Sequence, residues 1–165
     1  MKVKDLIKDV QDVELTPEQE KQIKDYLGIK GNKRWKPKND GRYYTIYGDL
    51  SVDSTYNNTS MDSLRIVYGN CFKTEKEAEF AAEKIKVYLE LKNFADENND
   101  PINWSNPLQE KFYIMWDYEK CIIIYTYSCW MKTLDAIYFS SKELAKQAVE
   151  TVGADRIKKY LFGVE

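Results

Sequence analysis

The residues of this chain that could do chemistry are few in kind. Its 165 residues include no histidine and only three cysteines, Cys71, Cys121 and Cys129, with no C-x-x-C spacing. Those two facts remove disulfide frameworks, ordinary zinc sites and every Ser-His, Cys-His or histidine-based acid/base arrangement. The seven glycines are scattered, so neither a P-loop nor a dinucleotide fingerprint is present. Acidic residues sit mainly on helix faces, and no pair has a spacing that marks it for general acid/base work. Asp49, Asp53 and Asp62 could approach one another around a cation across a small sheet, or each could simply be solvated. Cys71 lies before a helix start, where the helix dipole could lower a thiol pKa, but the reading taken for it is a small buried hydrophobe. The expectation is a non-enzymatic chain with no cofactor and no metal.

What remains is chemistry of recognition. Lys30, Lys33, Arg34, Lys36, Lys38 and Arg42 stand against a single acid, Asp40, with Trp35 among them. Cations interleaved with an aromatic suit an acidic or phosphate-bearing partner, because the charges attract and the ring stacks; the same stretch also reads as a solvated linker whose tryptophan tucks against a core. Thirteen tyrosines form a second signal. Most fall in expected strands or their turns, so some must point away from the covering helices, and exposed tyrosine favours a contact surface. The partner-binding set expected from this is Lys33, Arg34, Trp35, Lys36, Lys38, Arg42, Tyr43 and Tyr47. With 25 basic and 27 acidic residues the net charge is −2, which supplies no global attraction to nucleic acid but leaves the basic arm able to meet one.

The elements that must position these residues follow from periodicity and capping. Val3, Leu6, Ile7 and Val10 share one helical face, and Thr16-Pro17-Glu18-Gln19 opens a second helix with a capping box, so residues 1–30 read as a helical hairpin. Gly31, Asn32, Pro37, Asn39 and Gly41 make residues 30–42 an arm. Strands are expected at 42–47, 50–56 and 64–68, then a helix capped at Thr74 whose stripe is Ala78, Ala81, Ala82, Ile85, Tyr88, Leu89 and Leu91. After a polar boundary at 96–106 the pattern returns: strands at 111–116, 121–127 and 134–139, a helix capped at Ser140 or Ser141 with Ala145, Ala148, Val149 and Val152, and a last short helix at 154–161. Aliphatic residues on both faces of 121–127 suggest a central strand. The fold class expected is α+β: an N-terminal helical hairpin (1–30) followed by two βββα repeats (31–97 and 98–165), each an antiparallel sheet covered by one helix.

Ile122-Ile123-Ile124 is too short to span a bilayer and residues 1–10 lack a signal-peptide core, so a cytosolic protein with no membrane partner is expected.

Tyr43-Tyr44-x-Ile46, Gly69-Asn70-Cys71-Phe72-Lys73-Thr74-x-x-x-Ala78 and Tyr138-Phe139-Ser140-Ser141-x-x-x-Ala145 together resemble a group of small proteins carried by phages and mobile elements of Gram-positive bacteria, over roughly residues 35–162. That resemblance implies an accessory protein acting in the host cytoplasm as an inhibitor of host defence, including the anti-CRISPR kind, through stoichiometric binding of a bacterial host-defence protein. A second likeness is to the three-strand-plus-helix DNA-binding unit of plant ethylene-response factors and of the arm-binding region of phage integrases. Here the strands hold few cations beyond Arg42, Arg65 and Lys111, a departure from that pattern. Two other functions fit the residues: a nucleic-acid-binding module using the basic arm and sheet, and a nucleotide-messenger sponge or enzyme with a pocket between the repeats.

Overall fold

A computed structural model of the chain describes residues 35–164, together with Thr16 and Glu18. The chain divides into two compact units, Met1–Trp35 and Lys36–Glu165. The helical hairpin expected at residues 1–30, and with it Lys33 and Arg34, lies outside the described residues.

The second unit is α+β, with four helices and two antiparallel hairpins among the described residues. In chain order it runs β1 (Arg42–Ile46), β2 (Val52–Tyr56), α1 (Ser60–Tyr68), α2 (Glu75–Asn98), β3 (Lys111–Asp117), β4 (Ile122–Ser128), α3 (Lys142–Val152) and α4 (Ala154–Leu161). Tyr44 pairs with Ser54 in the first hairpin and Ile114 with Tyr125 in the second. Neither sheet has the expected third strand. Its place is taken by one residue: Phe72 exchanges backbone hydrogen bonds with Tyr44 (2.9 and 3.0 Å), and Phe139 with Phe112 (2.7 and 2.9 Å). Two residues beyond each bridge, Thr74 and Ser141 cap the following helix.

The stretch expected as a strand at 64–68 is the end of α1. Thr59 accepts a hydrogen bond from the Asp62 N–H while the Asp62 carboxylate accepts from the Thr59 N–H, and Gly69 closes the helix at φ 86°. A capping box and a left-handed glycine bracket nine residues and outweigh five residues of alternation, since Leu64 and Tyr68 are also neighbours on a helix. At 134–139 only Phe139 reaches the sheet, because Asp135 sits at φ 60° and turns the chain. β4, expected to be central, is one strand of a two-stranded sheet with Ile122 exposed.

α2 does not bury a single stripe. Ala78 and Ala82 are buried in its first half, where the helix lies against the β1–β2 hairpin, whereas Val87, Leu91 and Ala95 are buried in its second. Ala78 and Val87 are separated by about two and a half turns, so the two sets face nearly opposite ways. The second set joins Phe139, Ala145, Ala148, Val149, Val152 and Ile157, with Phe112, Ile114, Ile123 and Tyr125 of the β3–β4 hairpin packed against them. Arg156 clamps α4 to α2 through two hydrogen bonds to Glu90, 2.7 and 3.0 Å. Ile85 and Leu89, expected in the stripe, continue the side of Ala78 and Ala82 along the second half of the helix and are exposed there.

Leu91→Ala should therefore cost about 2–5 kcal/mol in a denaturant titration, whereas Leu89→Ala, the same change two residues away, should cost less than about 1 kcal/mol. Equal losses would contradict the switch of face.

Candidate partner-binding surface

The site is built around a carboxylate. Asp62 is the only buried residue of α1, and every contact of its carboxylate is with a donor. The Tyr43 hydroxyl donates to Oδ1 at 2.5 Å and Arg65 Nη1 lies 3.2 Å from the same oxygen, while Oδ2 accepts from the Thr59 hydroxyl (2.5 Å), the Thr59 N–H (2.9 Å) and the Asn58 N–H (3.2 Å). Burial opposes ionisation of Asp62, yet the hydrogen bonds from Thr59, Tyr43 and Asn58 outweigh it and hold the carboxyl well below the usual range. Tyr43 moves the other way: burial first, then its bond to Asp62, push its hydroxyl pKa up. Arg65 is held charged more firmly, chiefly by its hydrogen bond to Tyr43.

With Asp62 inward and Ile66 half-buried beside it, α1 carries its other apolar side chains outward. Met61 is 56% exposed, Leu64 48%, Val67 71% and Tyr68 80%. At the far end of β1, Tyr47 is exposed and the Arg65 guanidinium lies over its ring, 5.3 Å from the centroid. At the near end the arm is folded: the Asn57 side-chain amide donates to the carbonyls of Pro37 (3.3 Å) and Lys38 (3.2 Å), and the Gly41 N–H closes a turn onto the Lys38 carbonyl at 2.8 Å. A Cβ at Gly41 would stand 2.8 Å from that carbonyl oxygen, so the turn requires glycine. Asn57 leads directly into the α1 cap, which sets exposed Lys36 and Lys38 beside the N-terminal end of that helix.

Of the expected binding residues, Lys36, Lys38, Arg42 and Tyr47 are exposed, and Arg42 is tied to Ser54 at 2.8 Å while covering the Tyr44 ring. Trp35 is exposed and belongs to the first unit. Tyr43 is the correction: it is wholly enclosed, because the strand puts it on the face covered by α1, where its hydroxyl serves Asp62. A strand at 64–68 would hide the outward face of α1; the signal in the sequence that reveals it is Thr59-x-x-Asp62 with Gly69.

The second hairpin repeats the device with a different cation. Lys111 is fully buried, and its Nζ donates to the carbonyls of Asn106 and Cys129, both at 2.7 Å, while lying 5.5 Å from the Trp104 ring centroid. It stands one residue before the bridging Phe112, as Tyr43 stands before Tyr44. The equivalent of Lys111 is thus Tyr43, not Arg42 as the sequence pattern suggests; one residue of slip exchanges the faces of a strand. The two loops held by Lys111 carry exposed Leu108, Trp130 and Met131.

The other candidates resolve simply. Asp49 caps its own turn by accepting from the Ser51 N–H and hydroxyl, Asp62 is occupied as above, and no group of three metal-ligating side chains occurs among the described residues. Cys71 is buried. A cleft of about 640 Å³ between the β1–β2 turn, α2 and α4 is lined by Phe80 and Tyr160 with charges of both signs, and an apolar groove of about 600 Å³ runs past Ile85, Leu89, Ile137 and Phe162. No helix among the described residues is long and apolar enough to cross a membrane. No family model, curated protein or solved structure matches the chain.

Asp62→Asn places an amide donor against donors whichever way it turns, and should destabilise the fold by about 3 kcal/mol. Asp62 binds its proton less tightly folded than unfolded, so its contribution is full above about pH 4 and falls away below it; Tyr43 binds its proton more tightly folded, so its contribution is full below about pH 10 and is lost above. The difference in unfolding free energy between wild type and Asp62→Asn should accordingly shrink in acid, and that between wild type and Tyr43→Phe in alkali. Differences that stay constant across pH would contradict the assignment.

Proposed function

We propose that this chain is a non-enzymatic binding protein whose partner sits on the outward face of α1. The carrying observation is the inversion of that helix. An amphipathic helix ordinarily turns its apolar stripe to the core, and this one sets Met61, Leu64, Val67 and Tyr68 in solvent around a buried aspartate. Exposed apolar surface of that kind favours a contact site, and methionine and tyrosine are enriched in interfaces. Lys36, Lys38 and Arg42 add cationic contacts from the adjoining arm, and Tyr47 an aromatic one from the hairpin turn.

The likeness to phage and mobile-element proteins supplies the class of partner. The chain acts in the host cytoplasm as an anti-CRISPR-like accessory protein, occupying a component of bacterial defence one-to-one rather than turning it over. The recurrence of hairpin, single bridge and capped helix supports reading the two halves as one duplicated unit behind an N-terminal helical hairpin, the third strand of each reduced to its bridging phenylalanine.

Co-expression should restore phage plating on hosts with an active CRISPR defence. The double variant Leu64→Glu/Tyr68→Glu, changed only at exposed positions, should keep the wild-type melting temperature and lose that restoration. A variant as protective as wild type would refute the α1 face. Full protection at levels far below those of the target would refute stoichiometric binding, and no protection on any defence-active host would refute the host-defence reading.

A further inference from the structure

We propose that α1 is a latch-held element: residues 58–69 open as a unit, with the Tyr43–Asp62 pair as the latch, while α2 and the C-terminal layer remain folded. Other helices are secured by buried aliphatic side chains, as α2 is by Val87 and Leu91 and α4 by Ile157. α1 has none fully buried: Ile66 is only half-buried, and the one buried residue of the helix is Asp62. A nine-residue helix is too short to persist on its own propensity, so its closed position depends chiefly on hydrogen bonds to one carboxylate, with Ile66 and the Arg65–Tyr47 contact beside them. Elements with few buried apolar contacts are those that open below the global unfolding free energy.

The ends of the segment are separately fixed. Before it, Asn57 is bonded to the arm through the carbonyls of Pro37 and Lys38. After it, Asn70 binds β1 on both sides of its amide, accepting from the Ile46 N–H at 2.8 Å and donating to the Ile46 carbonyl at 2.6 Å. Two asparagines thus hold the flanks while the helix between them hangs on Asp62. Opening uncovers Tyr43, which the closed form encloses completely. The inference stands whether or not α1's outer face meets a partner, because the isolated protein opens as well.

Native-state hydrogen exchange on the full chain, followed by NMR without any partner, tests it. In wild type the hydrogen-bonded amides of Leu64 to Tyr68 should show protection factors at least about tenfold below those of Val87, Leu91 and Val149. Tyr43→Phe should lower α1 protection by a further factor of about ten and leave the ratio among the α2 and α3 amides unchanged. Equal protection of α1 and α2 in wild type would overturn the proposal, as would a Tyr43→Phe protein in which α1 protection is unaltered. Should that variant not fold, the wild-type comparison decides alone.

Discussion

The fold depends on α2 burying opposite faces in its two halves. Ala78 and Ala82 let the helix approach the first hairpin closely, and Val87, Leu91 and Ala95 then turn to the cluster formed by α3, α4 and the second hairpin. A single helix of 24 residues therefore does the work of two covering helices, and Lys36–Glu165 is one compact unit. The arrangement is unequal. The large aliphatic side chains fall on the C-terminal side, where each buried one contributes roughly 1.5–3 kcal/mol, and the first hairpin receives only alanines from α2.

That inequality explains why the first hairpin closes its other face with polar groups. Tyr43 reaches across to Asp62, and α1 is drawn in by a carboxylate instead of by its leucine, methionine or valine. A buried carboxylate is tolerable only when its oxygens are fully occupied, and Asp62 has five donor contacts from Tyr43, Thr59, Asn58 and Arg65. The second hairpin solves the same geometric problem with Lys111, whose ammonium satisfies two loop carbonyls. In both cases the apolar side chains nearby are displaced outward: Met61, Leu64, Val67 and Tyr68 around the first clamp, Leu108, Trp130 and Met131 around the second. The candidate surface follows from how the hairpins are closed.

Much of this was legible in the residues. Thr74 with Glu77 and Ser141 start their helices where capping chemistry places them, Gly153 separates α3 from α4, and the hairpins lie where β-branched and aromatic residues alternate between turns. Phe72 and Phe139 stand at equivalent points, as do Ala78 and Ala145. These features are local: a cap, a turn or a short period is decided by residues within one or two turns of each other, so the chain alone determines them.

Tertiary structure decided the rest. Five residues from Leu64 to Tyr68 satisfy both a strand and a helical repeat, and the answer came from a capping aspartate whose charge had to find Tyr43, 19 residues earlier. Ile85 and Leu89 fit an apolar stripe as well as Val87 does, and only the placement of two different partners on opposite sides of α2 leaves the first two in solvent. Tyr43 and Lys111 have the composition of surface contacts, and the pleat turns them inward because the neighbouring Tyr44 and Phe112 must meet the bridging phenylalanines. Which side chains face a partner is set by contacts between residues distant in sequence, and no local period encodes them.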